Sequence, residues 1–163
     1  MLQNILKEIK SKADLKKAKL LSRFFQTGKG EYGEGDKFLG IIVPIQRSIA
    51  KKYKDLSFAE IEYLLQSEIH EQRLIALFIL RIQYKKADKE SKEKIIKLYL
   101  KNLKHVNNWD LVDSSAPYLL GDYLLDKKRD ILYKLVKSKK LWERRIAVLS
   151  TFPFIILDHL NHL

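Results

Sequence analysis

The chain has no cysteine, one methionine, three prolines and six glycines among its 163 residues. Without cysteine there is no disulfide scaffold, no thiolate metal site and no cysteine nucleophile, so no redox chemistry of its own is expected. So few prolines and glycines leave few points at which a helix must stop. No window approaches the roughly 18 consecutive apolar residues of a membrane span. The opening MLQNILKEIK alternates apolar and charged residues too closely for a secretory signal. A cytoplasmic protein with no membrane partner is expected. Period-2 alternation is missing as well, which leaves no candidate strand.

What the chain does have is apolar content of 46%, enough for a core, and 32% charged residues. The length predicts one domain over residues 1–163. Lys and Arg number 32 against 20 Asp and Glu, a net charge of +12. That excess suits either solubility or a polyanionic partner. It is concentrated: Lys127 to Arg145 holds nine basic and two acidic residues, and Lys85 to Lys104 eight and three.

Apolar residues recur at helical spacing. Leu2, Ile5, Leu6 and Ile9 form one stripe, and Leu15, Ala18, Leu21, Phe24 and Phe25 a second. Ile45, Ile49, Ala50 and Tyr53 follow Pro44, a favourable first-turn residue. Ser57 and Glu60 predict a capping box ahead of Ile61, Leu64 and Leu65. Leu74 to Ile82 is apolar almost all round, so that helix should run through the middle of the fold. Further helices are predicted around Ile95 to Leu103, Ile131 to Val136 and Leu141 to Leu149. The fold class is therefore all-α. Helices arriving in pairs favour a HEAT-like α-solenoid, a superhelix of antiparallel pairs with a concave basic face, over a simple bundle.

Five of the glycines (Gly28, Gly30, Gly33, Gly35, Gly40) crowd into one segment and spell G-x-G-x-x-G. A dinucleotide site needs a strand before that fingerprint and a helix after it. Here a helix precedes and more loop follows, so a connection is expected, with Gly28 as a helix C-terminal cap. Its backbone amides, Lys29 and Lys37 are candidate phosphate contacts. His159 and His162 lie one turn apart beside Asp158, too few ligands for a metal centre. No serine sits in a nucleophile elbow. No metal and no cofactor are expected.

Two segments carry chemistry. In VNNWDLVDSSAP, Asn107 or Asn108 can cap a helix that Pro117 interrupts, which puts Trp109 and Asp113 on one face. A ring and a carboxylate together suit a flat cation. The alternative is a core Trp beside a capping or salt-bridged Asp. In LWERRIAVLSTF, Leu141, Ile146 and Leu149 should face inward while Trp142 and Arg145 project. Arg145 can clamp a phosphate or hold Asp113.

FFQTGKGEYGEGDKFLGIIVP, VNNWDLVDSSAP and LWERRIAVLSTF, in this order and spacing, resemble the DNA alkylation repair family of AlkD-type DNA glycosylases. The resemblance spans residues 24 to 152. It implies a HEAT-like solenoid that grips duplex DNA on a basic concave face and excises N3- and N7-alkylated purines. It places the catalytic residues at Trp109, Asp113 and Arg145. Lys29, Tyr32, Lys37, Arg47, Trp142 and Arg144 are the candidate DNA contacts. The partner so implied is duplex DNA carrying cationic alkylated bases. Past Ile155 the motifs end, and the expectation is a chain lacking the family's last helices. Leu157, Leu160 and Leu163 would then form an apolar end able to join two copies. Two other readings remain open: a duplex-binding module without catalysis, and a helical-repeat protein scaffold.

Overall fold

The computed structural model of the protein describes the backbone of residues 1–161 and the side chains of residues 1–156. The expectations resting on the side chains of His159 and His162, and on Leu157, Leu160 and Leu163 as a dimer surface, lie outside the described residues. Described residues form helices and no strand, apart from one isolated parallel bridge between Lys37 and Ile69. The order is α1 (Leu2–Ser11), α2 (Leu15–Phe24), α3 (Val43–Lys52), α4 (Phe58–Leu65), α5 (His70–Lys86), α6 (Lys89–Lys101), α7 (Trp109–Asp113), α8 (Asp130–Val136), α9 (Leu141–Leu149) and α10 (Phe152–Asn161). The chain divides into two compact units, Met1–Lys86 and Ala87–Leu163.

In the first unit α5 is the core element, as its all-round apolar run predicts. Every residue from His70 to Leu80 is buried, and α3 and α4 pack on it. Each large apolar side chain removed from water in this way contributes about 1.5–3 kcal/mol. The predicted capping box is formed: the Ser57 side chain accepts from the Glu60 amide, and the Glu60 carboxylate accepts from the Ser57 amide. Glu60 also accepts from the Leu2 amide at 2.8 Å, which ties the start of α1 to α4.

The glycine-rich connection differs from expectation in two ways. The left-handed residue after α2 is Gln26, at φ 48°, rather than a glycine. Gln26 N–H donates to Arg23 C=O and Thr27 N–H to Ser22 C=O, a Schellman closure completed two residues before Gly28. In addition, the amides of Gly28 and Gly30 are already taken by the Glu31 and Glu34 carboxylates, at 2.6 and 2.9 Å. A phosphate would have to displace a carboxylate there, so those amides make a poor cradle.

The stripe expected on α2 is also only partly buried. Ala18 and Phe25 are inside, while Leu15 is 86% and Phe24 64% exposed. The loop meets this helix at its two ends, where the Asp14 amide donates to the Leu39 carbonyl and the Phe25 ring stacks on Phe38 at 5.0 Å. At Gly40, φ 86°, a Cβ would lie 2.1 Å from the Asp14 carbonyl oxygen. Only glycine permits that approach.

The end of the loop is fastened to α5 by charges that no local pattern announces. The buried Glu71 carboxylate accepts the amides of Leu39, Gly40 and Ile41. Buried Asp36 accepts from Arg73 Nη2 at 2.6 Å and pairs with His70 Nδ1 at 2.9 Å. The His70 ring stacks on Phe38 at 4.4 Å.

In the second unit, α6 buries Ile95, Ile96, Leu98 and Tyr99. The helices α8 and α9 pack on each other through Leu132, Leu135, Ile146 and Ala147. Leu141, expected inside, is 50% exposed. It opens α9, ahead of the turn at Ile146 and Ala147 that faces α8.

Candidate active site

Asn108 begins the site. It is fully buried, caps α7, and accepts the Trp109 amide on its side chain at 2.8 Å. The helix it starts has a single turn. Pro117 has no N–H to offer the Asp113 carbonyl, so regular α-geometry cannot continue through it. The chain instead widens into a π-type turn over Pro117–Gly121, in which Gly121 N–H donates to Ala116 C=O at 2.9 Å. Trp109 and Asp113 therefore stand at the two ends of a one-turn helix, both half-buried. Trp109 is thus not a core residue.

The other half comes from α9, whose start is held by side chains. Ser138 Oγ accepts the Lys140 amide at 3.1 Å and donates to Glu143 Oε2 at 2.7 Å. Arg144 Nη1 donates to the carbonyls of Ser138 and Lys139, both at 2.9 Å. This arginine thus staples the turn between α8 and α9. Trp142, one turn before Arg145, is half-buried.

Arg145 meets Asp113 in a two-pronged pair across 32 residues of sequence. Nε and Nη2 donate to Oδ1 and Oδ2, each at 2.8 Å. The carboxylate raises the guanidinium's already high pKa further. The two side chains are 37% and 40% exposed. Solvent screening at that exposure limits the pair's contribution to folding to about 1 kcal/mol. Its chief effect is geometric: a fork against a carboxylate fixes both planes. Each carboxylate oxygen has two lone pairs and spends one on Arg145, which leaves one on each for a further partner.

The cationic surroundings differ between segments. On α6, Lys94 and Lys97 are paired with Glu90 and Glu93 one turn earlier. Lys128, Lys134, Lys137 and Lys139 are exposed and make no ion pair among the described residues. Arg129 lies over the Phe154 ring at 4.0 Å. An open apolar groove of about 250 Å³ between α8, α9 and α10 is lined by Leu132, Val136, Ala147 and Phe154 among others. Neither member of the Asp113–Arg145 pair lines it.

Four candidate contacts lie in the first unit. Lys29 is exposed in the glycine-rich loop. Tyr32 Oη donates weakly to the Phe24 carbonyl at 3.5 Å. Lys37 pairs with Glu68, and Arg47 is exposed with its guanidinium 5.3 Å from the centre of the Phe78 ring. No group of three His, Cys, Asp or Glu is placed to hold a metal ion among the described residues. No helix there is long and apolar enough to cross a membrane.

A family model described as DNA alkylation repair enzyme matches residues 5–163. That span takes in the stretch past Ile155 where no motif was visible. None of the curated proteins matches the chain.

Proposed function

The chain belongs to the DNA alkylation repair enzyme family, and from that premise we propose that it is a DNA glycosylase hydrolysing the N-glycosidic bond of N3- or N7-alkylated purines in duplex DNA. The observation that carries the reading is the open, two-pronged Asp113–Arg145 pair beside Trp109. An alkylated purine is already cationic and leaves as a neutral base when the bond from C1′ to nitrogen breaks. What remains is an oxocarbenium-like sugar. Water adds its oxygen to C1′ and gives up a proton, leaving an abasic site.

A carboxylate serves both needs. The unspent lone pairs of Asp113 face the developing positive charge electrostatically and can accept a hydrogen bond from the attacking water. Trp109 offers a flat π face to the sugar or the cationic base. The Nε and Nη2 edge of Arg145 is used on Asp113, and Nη1 has no partner among the described residues. One guanidinium can therefore hold the carboxylate on one edge and a DNA phosphate on the other, which sets their separation. In the same reading the helices stack as a HEAT-like superhelix with a concave basic face, and an open surface receives the lesion without an enclosing pocket.

Single-turnover release of 7-methylguanine from methylated duplex DNA tests this. Wild-type protein should free the base, and Asp113→Asn should slow release by roughly a hundredfold or more while still binding the duplex. Binding without any base release by the wild type would instead favour a non-catalytic duplex-binding module.

A further inference from the structure

We propose that Tyr99 and Ser115 are positioning residues: a buried hydrogen-bond relay from α6 that sets the direction in which α7 presents Asp113. This rests on the glycosylase reading for its kinetic consequence, not for its geometry. Both side chains are fully buried, so neither can touch DNA.

Ser115 Oγ lies 2.6 Å from the Leu111 carbonyl oxygen and 3.0 Å from Tyr99 Oη. A carbonyl only accepts, so the single hydroxyl proton of Ser115 goes to Leu111. Tyr99 must then donate to Ser115. Burial pushes the Tyr99 phenol well above its ordinary value, which keeps it protonated and a donor at any working pH. The relay therefore runs one way, from Tyr99 through Ser115 to α7.

It supplies something the backbone does not. In a regular helix the amide of residue 115 would serve Leu111. Here it goes to Val112 at 3.1 Å, and Val112 accepts the Ala116 amide too. The Ser115 hydroxyl takes over for its own amide at Leu111. The helical path continues past α7, with Ala116 N–H on Val112 C=O and Leu119 N–H on Ser115 C=O, but its ladder is irregular at Leu111, two residues before the carboxylate that must be aimed. Across the pair, α9 is set by close packing instead. A Cβ on Gly121 would sit 2.7 Å from the Ser150 carbonyl oxygen and 3.0 Å from the Pro153 ring, so the junction of α9 and α10 rests directly on the turn that follows α7. Both partners of the pair are thus fixed from behind, by groups that never meet substrate.

Tyr99→Phe, Ser115→Ala and the double variant test it with three readouts. Single-turnover base release should fall about tenfold to a hundredfold in each single variant, with duplex affinity within about twofold of wild type. The double variant should be no slower than the worse single one, because both remove one relay. The Nε–H resonance of Arg145, followed by ¹⁵N NMR, should be shifted and exchange faster with water in both single variants. Release equal to wild type after correction for folded fraction, or loss that only tracks affinity, would overturn the proposal. Should wild type release no base, the glycosylase reading fails. The Arg145 signal then decides alone: a shifted resonance upholds positioning and an unchanged one overturns it.

Discussion

A carboxylate that accepts two hydrogen bonds from one guanidinium has not exhausted its oxygens, and at Asp113 that distinction decides what the residue can do. A fully buried pair would have spent its charge on Arg145, whereas this one is more than a third exposed on both sides. Lysine at 145 would keep the charge and lose the fork. Arg145→Lys is therefore expected to slow base release by roughly tenfold or more with little change in melting temperature, which single-turnover kinetics and a thermal melt would measure side by side. Gln26 poses the opposite case, a residue under backbone strain at φ 48° with no evident chemistry. The left-handed conformation costs a non-glycine residue about 1 kcal/mol. Gln26→Gly should raise stability by about that amount in a denaturant titration, provided the Schellman bonds of Gln26 and Thr27 persist.

Elements whose causes are local were readable in advance. The capping box of α4 needs only Ser57 and Glu60 three residues apart, and the run from Leu74 to Ile82 announces a buried helix by lacking a polar face. The start of α7 was legible as a cap at Asn107 or Asn108, but not its length: Pro117 predicts a break about two turns on, and the regular helix already ends at Asp113. Elements whose causes are distant were not. Leu15 and Phe24 obey helical periodicity, yet both stay exposed, while Phe25 at the end of α2 is buried against Phe38 and His70. Glu71 and Asp36 look like surface charges until amides from 30 residues away, or Arg73, close over them. In the site, spacing put Trp109 and Asp113 on one face and offered Arg145 as either a phosphate clamp or a holder of Asp113; that the fork closes on Asp113 depends on how α7 meets α9.

Glu60 connects element and pH. The Ser57 amide foremost, with the Ser57 hydroxyl, the chain's terminal amine and the Leu2 amide, holds its carboxyl down to about 2. An unfolded Glu titrates near about 4.3. A depressed carboxyl stabilises the fold fully above the unfolded value and loses that contribution as pH falls through the folded one. The melting-temperature gap between wild type and Glu60→Gln should thus be constant between about pH 5 and 7 and close between about pH 4.5 and 2.

For the whole molecule, a net charge of +12 says less than where its unpaired part lies. Lys94 and Lys97 answer carboxylates on their own helix, and exposed i,i+4 pairs of this kind have already used much of their field. Lys134, Lys137 and Lys139 have no such partners among the described residues and sit on the segment that leads into Arg145. Duplex DNA rewards unpaired cations by releasing its condensed counterions, at a slope of about 0.9 in log affinity per log salt for each phosphate neutralised. Replacing those three lysines by glutamine should therefore flatten the slope by about 0.9 for each that meets a phosphate. Replacing Lys94 and Lys97 should leave it nearly unchanged, though it alters net charge by a similar amount. Fluorescence anisotropy of a labelled duplex between about 50 and 200 mM salt separates the two sets. Equal effects from both would mean that the protein answers DNA through total charge alone. Unequal effects would locate the duplex along the turn between α8 and α9, next to the carboxylate proposed to act on it.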